Sequence, residues 1–377
     1  QLPALESKLS AFIDEHEAEW PLVVTSIARK WLKEGLRERC ITRDLKWGVP
    51  VPVDGFEGKV FYVWFDAPIE YIGSTAEWAE KDPERRDWKS WWYDAKDVRY
   101  VEFMAKDNIP FHTIMFPATL LASGEPWKKV DYIKGFNWLT FYGGKFSTSQ
   151  KRGIFTNQAL DEFQPDYWRY WLMANAPESS DSSFTFGGFA ATVNKDLNDV
   201  LGNFVNRVLK MTASKIGAEV PAGGEWGDTE KDFVKTLQTR IADYTKYLSE
   251  MEYRKALVEL RAIWVEGNNY LTAAAPWTVI KEDKDKAAMI LRLALNVIRL
   301  YAVLSAPVIP ETAEKMLALL NLDAKDTAWV DAENLAAELR KLPAGHAFNV
   351  PEQPLFQKIA PEAVEDLCKR YGGNPEE

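Results

Sequence analysis

Cysteine and histidine are scarce in this sequence, and their scarcity excludes several kinds of site. The 377 residues include two cysteines and three histidines, and Cys40 and Cys368 lie far apart without a Cys-x-x-Cys neighbour. Neither a cysteine zinc site nor a disulfide framework is therefore predicted, and a reducing compartment, the cytoplasm, is expected. The first residues show no signal-peptide pattern, and no apolar run approaches the roughly 18 residues of a membrane helix. No membrane partner is expected.

Positive charge is not in excess either. The net charge is −10, which argues against a protein that coats nucleic acid indiscriminately but leaves room for a local basic face. Hydrophobic residues make up 46% of the chain, enough to bury sizeable cores. A chain of this length exceeds one ordinary core, so two or three domains are predicted.

Helical and strand patterns divide the sequence into two parts. Residues 1–46 predict two helices, followed by a strand over 59–65, a helix over 69–81 and a second strand in "VRYVEFMAKD". "DYIKGFNWLTFYGGKFS" predicts a hairpin, and the alternation predicts an α/β fold with a parallel sheet. From about residue 159 the pattern is all-α, with a helix pair broken at Pro165 and one long helix through "FAATVNKDLNDVLGNFVNRVLKMTASKIG". Further helices are predicted over 232–249, 254–270, 285–304 and 310–320.

Two stretches have aromatic and polar side chains where predicted strands end. "YVWFDAPIEY" carries Trp64 and Tyr71, and "AKDNIPFH" carries Lys106, Asp107 and His112. Ligands of open α/β sheets bind at the carboxyl ends of strands, and pockets combine apolar walls with a few aimed polar atoms. Each stretch also has a plainer interpretation: core aromatics under a strand end, and a structural Asp–His hydrogen bond.

The stretch "GGKFSTSQKRGIF", residues 143–155, is a glycine-rich loop with hydroxyl and basic side chains. Hydroxyls and lysines bind phosphates and glycines free the backbone, so a mobile phosphate-binding loop is one interpretation. The spacing is not that of a P-loop, which runs to Gly-Lys-Ser/Thr and opens a helix. Taken alone, a solvated hairpin tip is the simpler interpretation.

Taken together, the three stretches resemble methionyl-tRNA synthetases in order and spacing, and "NKDLNDVLGNFVNRVL" and "AAPWTVIK" resemble that family's anticodon-binding domain. The resemblance covers nearly the whole chain, and "KFSTS" corresponds to the class I KMSKS loop that closes on ATP phosphates. It implies the second half of a Rossmann-type nucleotide-binding fold followed by an α-helical bundle. The implied domains are the helical end of a connective region (1–46), the second half of the catalytic domain with its loop at 145–149 (47–157), linker helices that contact the tRNA stem (158–190) and the anticodon-binding domain (191–377).

The resemblance implies a methionine pocket, whose aromatic faces suit a polarizable thioether. The Tyr71 hydroxyl and His112 would also hydrogen-bond the sulfur, which norleucine lacks. Phe116 stands where many relatives have tryptophan, so this wall is expected to differ slightly. Asp107 would contact substrate or adenylate, and Lys106 would lie near its phosphate. The implied pocket residues are Trp64, Ala67, Pro68, Tyr71, Phe111, His112 and Phe116; the implied ATP ligands are Lys106, Asp107, Lys145, Ser147, Thr148 and Ser149.

The chain departs from the family pattern in two respects. Thr148 replaces the second lysine of KMSKS, so Lys145 is the motif's remaining lysine. Losing one aimed donor typically costs ~10²–10³ in rate, and Lys151 and Arg152 are the nearest candidates to compensate. The HIGH motif, the first half of the nucleotide-binding fold and the zinc knuckle have no counterpart. The N-terminal half is therefore expected on a missing segment or a separate chain.

The resemblance also implies that the long helix reads the CAU anticodon. Asn203 and Arg207 lie four residues apart on its polar face, and Trp277 follows Ala275 and Pro276. Arginine and asparagine offer hydrogen bonds to an unstacked base edge, and an exposed tryptophan offers a stacking platform. Without the resemblance, an ordinary solvated helix face is the simpler interpretation.

The implied activity is that of a methionine–tRNA ligase: ATP, with Mg²⁺, activates L-methionine as the adenylate, and the methionyl group passes to tRNA(Met). Positioning and electrostatic stabilisation carry such chemistry, so no Ser-His-Asp or paired-carboxylate pattern is needed. The main alternative is a catalytically incomplete fragment or paralogue that binds tRNA or methionine. A class I synthetase for an aliphatic amino acid is a weaker alternative. A monomer is expected, because no dimerisation appendage follows the helical part.

Overall fold

A computed structural model describes residues 1–323 and 327–373 of the chain. By their contacts, these residues form two units. The first consists of Gln1–Trp138 with Pro177–Asp181, and the second of Leu139–Ala176 with Ser182–Glu377. The first unit is mixed α/β and the second is largely helical. The four domain limits drawn from the resemblance stay a prediction.

The first unit begins with a short 3₁₀ turn (Leu2–Leu5) and the two predicted helices, α1 (Glu6–His16) and α2 (Leu22–Lys33). Leu9 and Ile13 recur at helical spacing on α1, so one face of that helix is apolar. Both are fully buried and pack in one core with Val24 of α2 and Ile133 of a neighbouring strand. The two helices therefore form the layer under the sheet of this unit.

The strands of the first unit form two pairs. Thr42–Arg43 (β1) and Val60–Phe61 (β2) pair antiparallel. Val101–Ala105 (β3) and Tyr132–Phe136 (β4) pair in parallel, as predicted. Parallel strands need a long crossover connection. The π-helical segment Phe111–Met115, α6 (Phe116–Ala122) and their flanking loops provide it.

The predicted strand over 59–65 is wrong beyond its third residue. The strand ends at Phe61, and α3 (Val63–Asp66) follows, then a 3₁₀ turn (Ala67–Ile69), α4 (Glu70–Glu80) and α5 (Lys89–Trp92). The amides of Phe65 and Asp66 donate back to the Tyr62 carbonyl, which starts a helical turn. The partner strand β1 is only two residues long, so the aromatic residues after Phe61 have no strand with which to pair. Their strand propensity is therefore overridden.

The predicted hairpin over residues 131–147 is also wrong. Leu139–Phe141 (β5) does not pair with β4; it pairs in parallel with Ser182–Phe184 (β6). Between them, the amides of Asn137 and Trp138 donate to the Pro177 carbonyl and the Asp181 carboxylate. Bonds to a segment some forty residues later thus replace those of a local hairpin.

In the second unit, the long predicted helix is confirmed, with a π-helical stretch at its centre. Val193, Leu197, Leu201 and Phe204 form its fully buried stripe. The helices predicted over 232–249, 254–270, 285–304 and 310–320 are confirmed with small shifts. The helices are α7 (Thr156–Glu162), α8 (Pro165–Ala174), α9 (Phe186–Thr192), the π-helical stretch (Val193–Gly202), α10 (Asn203–Lys215), α11 (Asp228–Ser249), α12 (Tyr253–Ala274), α13 (Pro276–Val279), α14 (Lys284–Ser305), α15 (Pro310–Leu319), α16 (Leu335–Glu338) and α17 (Pro361–Tyr371).

Helix α14 corrects the expectation that no segment approaches a membrane span. By length and composition it could cross a membrane, but 89% of its apolar window is buried inside the protein. It begins at a capped end, where the Asp283 carboxylate accepts the Lys286 amide at 2.9 Å. A largely apolar helix that is enclosed by other helices is the core helix of a bundle.

Candidate functional site

The aromatic residues predicted to line a pocket come together in the first unit. The Trp64 ring of α3 stacks on Phe111 with centroids 4.9 Å apart and planes at 21°. The Tyr71 ring of α4 meets Phe116 edge-on at 6.2 Å. Pro68 and Phe116 are buried and Ala67 is half-buried. Because Trp64 is 36% and Tyr71 40% exposed, the cluster is a wall with one open side.

A directed hydrogen-bond chain runs through this wall. Nδ1 of buried His112 lies 3.0 Å from the Asn108 carbonyl oxygen, which can only accept, so Nδ1 carries the proton. Burial lowers the pKa of His112, which favours the neutral imidazole. Its Nε2 therefore accepts, and the Tyr71 hydroxyl, 2.9 Å away, donates to it. Both ring nitrogens of His112 are thus engaged by protein atoms, and the Tyr71 hydroxyl presents its lone pairs elsewhere.

Behind Tyr71 lies a buried carboxyl group that the motifs did not identify. Glu102, on β3, is buried, and the Tyr100 hydroxyl donates to its Oε1 at 2.5 Å. Burial raises the pKa of Glu102 to about 7, against the opposing effect of the Tyr100 bond. Burial also raises the pKa of Tyr71, and the Glu102 charge adds to that effect. The only sequence signal was a charged residue inside the apolar run "VEFMA".

The same layer connects to Tyr71 through helix α4. The Trp92 ring packs edge-on against Tyr100 at 4.8 Å, and its indole N–H donates to Thr75 Oγ1 at 2.8 Å. The Thr75 hydroxyl donates in turn to the Tyr71 carbonyl at 2.9 Å. The carbonyl of Tyr71 is therefore held by Thr75 and, through it, by Trp92, while the Tyr71 hydroxyl is held by His112.

Lys106 and Asp107 lie on the turn that follows β3. The Lys106 ammonium donates to Asp181 at 2.8 Å and lies 4.3 Å above the Trp138 ring. The Asp107 side chain is exposed. Asp181 is 75 residues from Lys106 in sequence, and no motif pointed to it.

The loop over residues 143–155 belongs to the second unit and is held at its base. The Arg152 guanidinium donates to the Phe141 carbonyl at 3.0 Å, and Ser147 and Arg152 form a backbone bridge. Lys151 has a left-handed backbone with φ +50° at the exposed tip. Of the two candidates to replace the missing lysine, Arg152 is therefore occupied in holding the loop. The predicted ligands Lys145, Thr148 and Ser149 are exposed, and Ser147 is half-buried.

The residues predicted to read an anticodon also come together in the second unit. Ala275 ends α12 in a left-handed conformation, φ 41°, and Pro276 starts the short helix that carries Trp277. The Arg207 guanidinium of α10 lies 5.1 Å over the Trp277 ring, which is a cation–π contact. They line a cavity of about 380 Å³ with Lys210 and Lys215 among its other walls.

Asn203 lines a second cavity of about 480 Å³ on the same helix. Asn206 lines both cavities, so the two adjoin along α10. Polar side chains, among them Asn198 and Lys358, line part of this second cavity. Asparagine amides and lysines suit base edges and phosphates.

Within residues 1–323 and 327–373, no cluster of three or more His, Cys, Asp or Glu side chains is arranged to hold a metal ion.

Two family models match the chain. The model described as class I tRNA synthetases (M) matches residues 1–209, and the anticodon-binding domain of methionyl tRNA ligase matches residues 220–376. A methionine–tRNA ligase of Streptomyces avermitilis is 56% identical over 99% of this chain and 67% of its own. One from Ruegeria sp. (strain TM1040) is 54% identical over 98% of this chain and 65% of its own.

Solved structures share the fold. The free form of Mycobacterium tuberculosis methionyl-tRNA synthetase aligns with a TM-score of 0.78 at 23% identity, over 96% of this chain and 68% of that one. The same enzyme in complex with methionyl-adenylate aligns with a TM-score of 0.77 at 24% identity, over 94% and 67%. At this level of identity the likeness concerns the fold.

The comparisons bear on the predicted extent of the chain. The chain spans about two thirds of the length of the curated relatives that it matches. The synthetase family model already matches from residue 1, where the end of a connective region had been predicted. The prediction that the half with the HIGH motif is missing is therefore not supported by the comparisons.

Proposed function

The chain belongs to the methionyl-tRNA synthetase family, and on this premise we propose that it activates L-methionine with ATP and transfers the methionyl group to tRNA(Met). The supporting observation is the aromatic wall of Trp64, Phe111, Tyr71 and Phe116, with a neutral His112 behind it. A thioether gains roughly 0.3–1.5 kcal/mol from each sulfur–ring contact. Ala67 and Pro68 complete the proposed methionine pocket.

The polar groups of the wall suit selection of sulfur over methylene. The Tyr71 hydrogen is directed to His112 in the free protein. A bound thioether would compete with the imidazole for that hydrogen, whereas a methylene offers no acceptor. Neutral His112 sets the direction of the bond in the free protein, because a protonated ring would have no lone pair at Nε2 to accept the Tyr71 hydrogen. We therefore assign Tyr71 to contact the sulfur and His112 to orient Tyr71.

The reaction needs little acid–base chemistry from the protein. The ionised methionine carboxylate attacks the α-phosphorus of ATP and expels pyrophosphate, and a terminal ribose hydroxyl of the tRNA then attacks the mixed anhydride. Positioned cations contribute most where charge develops on phosphate oxygens. We assign this role to Lys145 and Lys106, with Asp107, Ser147, Thr148 and Ser149 as further ligands of ATP, which enters as its Mg²⁺ complex.

We assign the role of the missing KMSKS lysine to Lys151 rather than Arg152. The Arg152 guanidinium donates to the Phe141 carbonyl and is therefore committed to the loop base, where the Arg152 backbone also bridges to Ser147. Lys151 lies at the exposed tip, and its left-handed backbone turns the chain there. A lysine side chain of four methylenes spans several ångströms, enough to stand in for a lysine at Thr148.

We further propose that Asn203, Arg207 and Trp277 read the anticodon. The preformed contact of Arg207 with the Trp277 ring supports this, because it offers an aromatic face with a cation beside it. Base–aromatic stacking is worth about 1–3 kcal/mol per base. The local basic walls, Lys210 and Lys215, fit this role despite the chain's net charge of −10.

A second candidate function is a fragment or paralogue that binds methionine or tRNA without activating methionine. The open side of the wall at Trp64 and Tyr71 and the loss of a lysine at Thr148 favour it for this chain alone. We propose that the half with the HIGH motif, on a segment or chain beyond this one, covers the open side. We also propose a cytoplasmic monomer.

The test is methionine-dependent ATP–pyrophosphate exchange, measured on this chain and on a protein of the relatives' full length. We expect exchange from the longer protein, with norleucine a much poorer substrate, and methionine binding by calorimetry to either. If neither protein catalysed the exchange but tRNA or methionine still bound, the second candidate function, a binding module, would replace the proposed enzyme activity. A Trp64→Ala variant that bound methionine normally would contradict the assigned pocket.

A further inference from the structure

The segment Pro177–Asp181 leaves the helical unit and packs with the first unit. Its attachment there is buried and polar. Lys134 and Glu178 form an ion pair at 3.0 Å with side chains only 4% and 12% exposed. The Asn137 amide donates to the Pro177 carbonyl at 2.8 Å. The segment is thus anchored to the end of β4 by contacts that do not involve Asp181.

Asp181 has its own contacts at the end of this anchored segment. Its Oδ1 accepts the Trp138 amide at 2.9 Å and the Lys106 ammonium at 2.8 Å. Chiefly because of Lys106, and then of the Trp138 amide, the pKa of Asp181 is lowered, so the carboxyl is ionised at neutral pH. The same ammonium lies 4.3 Å over the Trp138 ring. Lys106 is therefore held between an anion and an aromatic face.

We propose that Asp181 is a positioning residue that aims Lys106 at the phosphate of bound ATP or adenylate. The proposal rests on the function proposed above, which assigns Lys106 to that phosphate. An ammonium has three N–H donors and Asp181 accepts one, so donors remain for phosphate oxygens. A lysine side chain is otherwise flexible, and fixing its direction before the substrate binds raises the rate of a step that depends on positioning.

Asp181 also limits how tightly Lys106 binds the phosphate of the substrate before the reaction. A carboxylate beside Lys106 partly neutralises the ammonium, so substrate phosphate is held less tightly than by the cation alone. Charge that develops in the transition state gains more from an aimed donor than the ground state does. Loss of the carboxylate should therefore lower kcat without raising the KM for ATP. A merely structural ion pair, 26% and 44% exposed, would change neither constant.

The test variant is Asp181→Asn in the full-length protein, because an asparagine oxygen still accepts the Trp138 amide while the charge is lost. We expect kcat for pyrophosphate exchange to fall roughly tenfold, less than the ~10²–10³ typical of an aimed donor removed outright. KM for ATP should stay level or fall, and Asp181→Glu should recover part of the rate. Asp44→Asn, which breaks the Lys59–Asp44 pair of the same unit, is the matched control and should change nothing.

A double-mutant cycle separates this inference from the proposed function. Lys106→Ala should lose at least as much rate as Asp181→Asn, and the double variant should lose no more than Lys106→Ala. If Lys106→Ala were fully active, the assigned role of Lys106 at phosphate would fail. If Lys106→Ala were impaired while Asp181→Asn kept the wild-type rate, the positioning role of Asp181 alone would be overturned.

A second experiment measures the accessibility of Lys106 in this chain and does not depend on catalytic turnover. Pyridoxal phosphate followed by borohydride labels accessible lysines, and peptide mass spectrometry reports each site. Asp181→Asn should raise labelling of Lys106 at least threefold relative to Lys59 in the same digest, because the anionic reagent no longer competes with a carboxylate. Equal labelling in both proteins would overturn the proposal.

Discussion

The Tyr71 hydroxyl donates to Nε2 of His112 across 2.9 Å, and the direction of that bond follows from the other side of the ring. Nδ1 of His112 must donate to the Asn108 carbonyl at 3.0 Å, so Nε2 has only a lone pair to offer. A buried imidazole with a lowered pKa keeps this arrangement at neutral pH. The pair therefore acts as one unit: His112 orients Tyr71, and Tyr71 faces the proposed ligand.

Replacing Tyr71 by phenylalanine removes the hydroxyl while keeping the edge contact with Phe116. A neutral hydrogen bond contributes about 0.5–1.5 kcal/mol, so KM for methionine should rise roughly two- to tenfold. Discrimination against norleucine should fall by a similar factor in pyrophosphate exchange with the full-length protein. Tyr93→Phe, at an exposed phenol in the same unit, is the control. Unchanged discrimination in Tyr71→Phe would show that the hydroxyl does not recognise sulfur.

Glu102 should make the stability of the first unit depend on pH. Its pKa is raised from 4.5 to about 7, so the folded protein holds a proton that the unfolded chain has already lost between these values. Stability should therefore be greatest below about pH 4.5 for this group and fall as the pH rises through about 7. One pKa unit corresponds to 1.36 kcal/mol, so the stability lost between pH 4.5 and a pH above 7 is at most about 3 kcal/mol.

Glu102→Gln keeps the shape and removes the charge. The variant should match the parent near pH 4.5 and be more stable than the parent at pH 8, by urea unfolding followed through tryptophan fluorescence. Glu57→Gln serves as the control at an exposed carboxyl of the same unit. A difference between parent and variant that is constant from pH 4.5 to 8 would mean that Glu102 does not titrate in this range.

The loop over residues 143–155 should respond differently to substitution of Lys151 and of Arg152. Lys151→Asn keeps a residue that tolerates the left-handed backbone and removes the charge. It should lower the rate of pyrophosphate exchange about tenfold or more without loosening the loop. Arg152→Gln should instead raise the rate of limited proteolysis within the loop, because the bond to the Phe141 carbonyl is weakened. If Lys151→Asn exchanged pyrophosphate at the wild-type rate, Lys151 would be excluded as the substitute lysine.

Trp277 should carry much of the affinity for the anticodon. Removing a stacking platform costs about 1–3 kcal/mol, so Trp277→Ala should weaken tRNA(Met) binding roughly 5- to 150-fold in a filter-binding assay at fixed salt. Trp329→Ala is a close control, since both tryptophans are 40% exposed and lie in the same unit. Equal affinities for the two variants would contradict the anticodon assignment. Arg207→Gln should weaken binding as well, because it removes the cation over the ring.

Several features could be predicted from local sequence because their cause is local. The buried stripe Val193, Leu197, Leu201 and Phe204 recurs at helical spacing, and a helix follows whatever its neighbours are. Pro276 after Ala275 predicts a helix boundary, so the sequence alone places Trp277 next to that boundary. The family resemblance rested on whole motifs and indicated the aromatic wall residue by residue.

Other features were decided only by the tertiary structure, because their causes are distant in sequence. The aromatic run after Phe61 has strand propensity, yet it turns helical where a two-residue partner strand ends. The Lys106–Asp181 pair joins residues 75 positions apart. Composition and motif order determined the family and the residue types at the site. Burial and hydrogen-bond direction, which decide that His112 accepts from Tyr71 and that Arg152 holds the loop, exist only once the chain has packed.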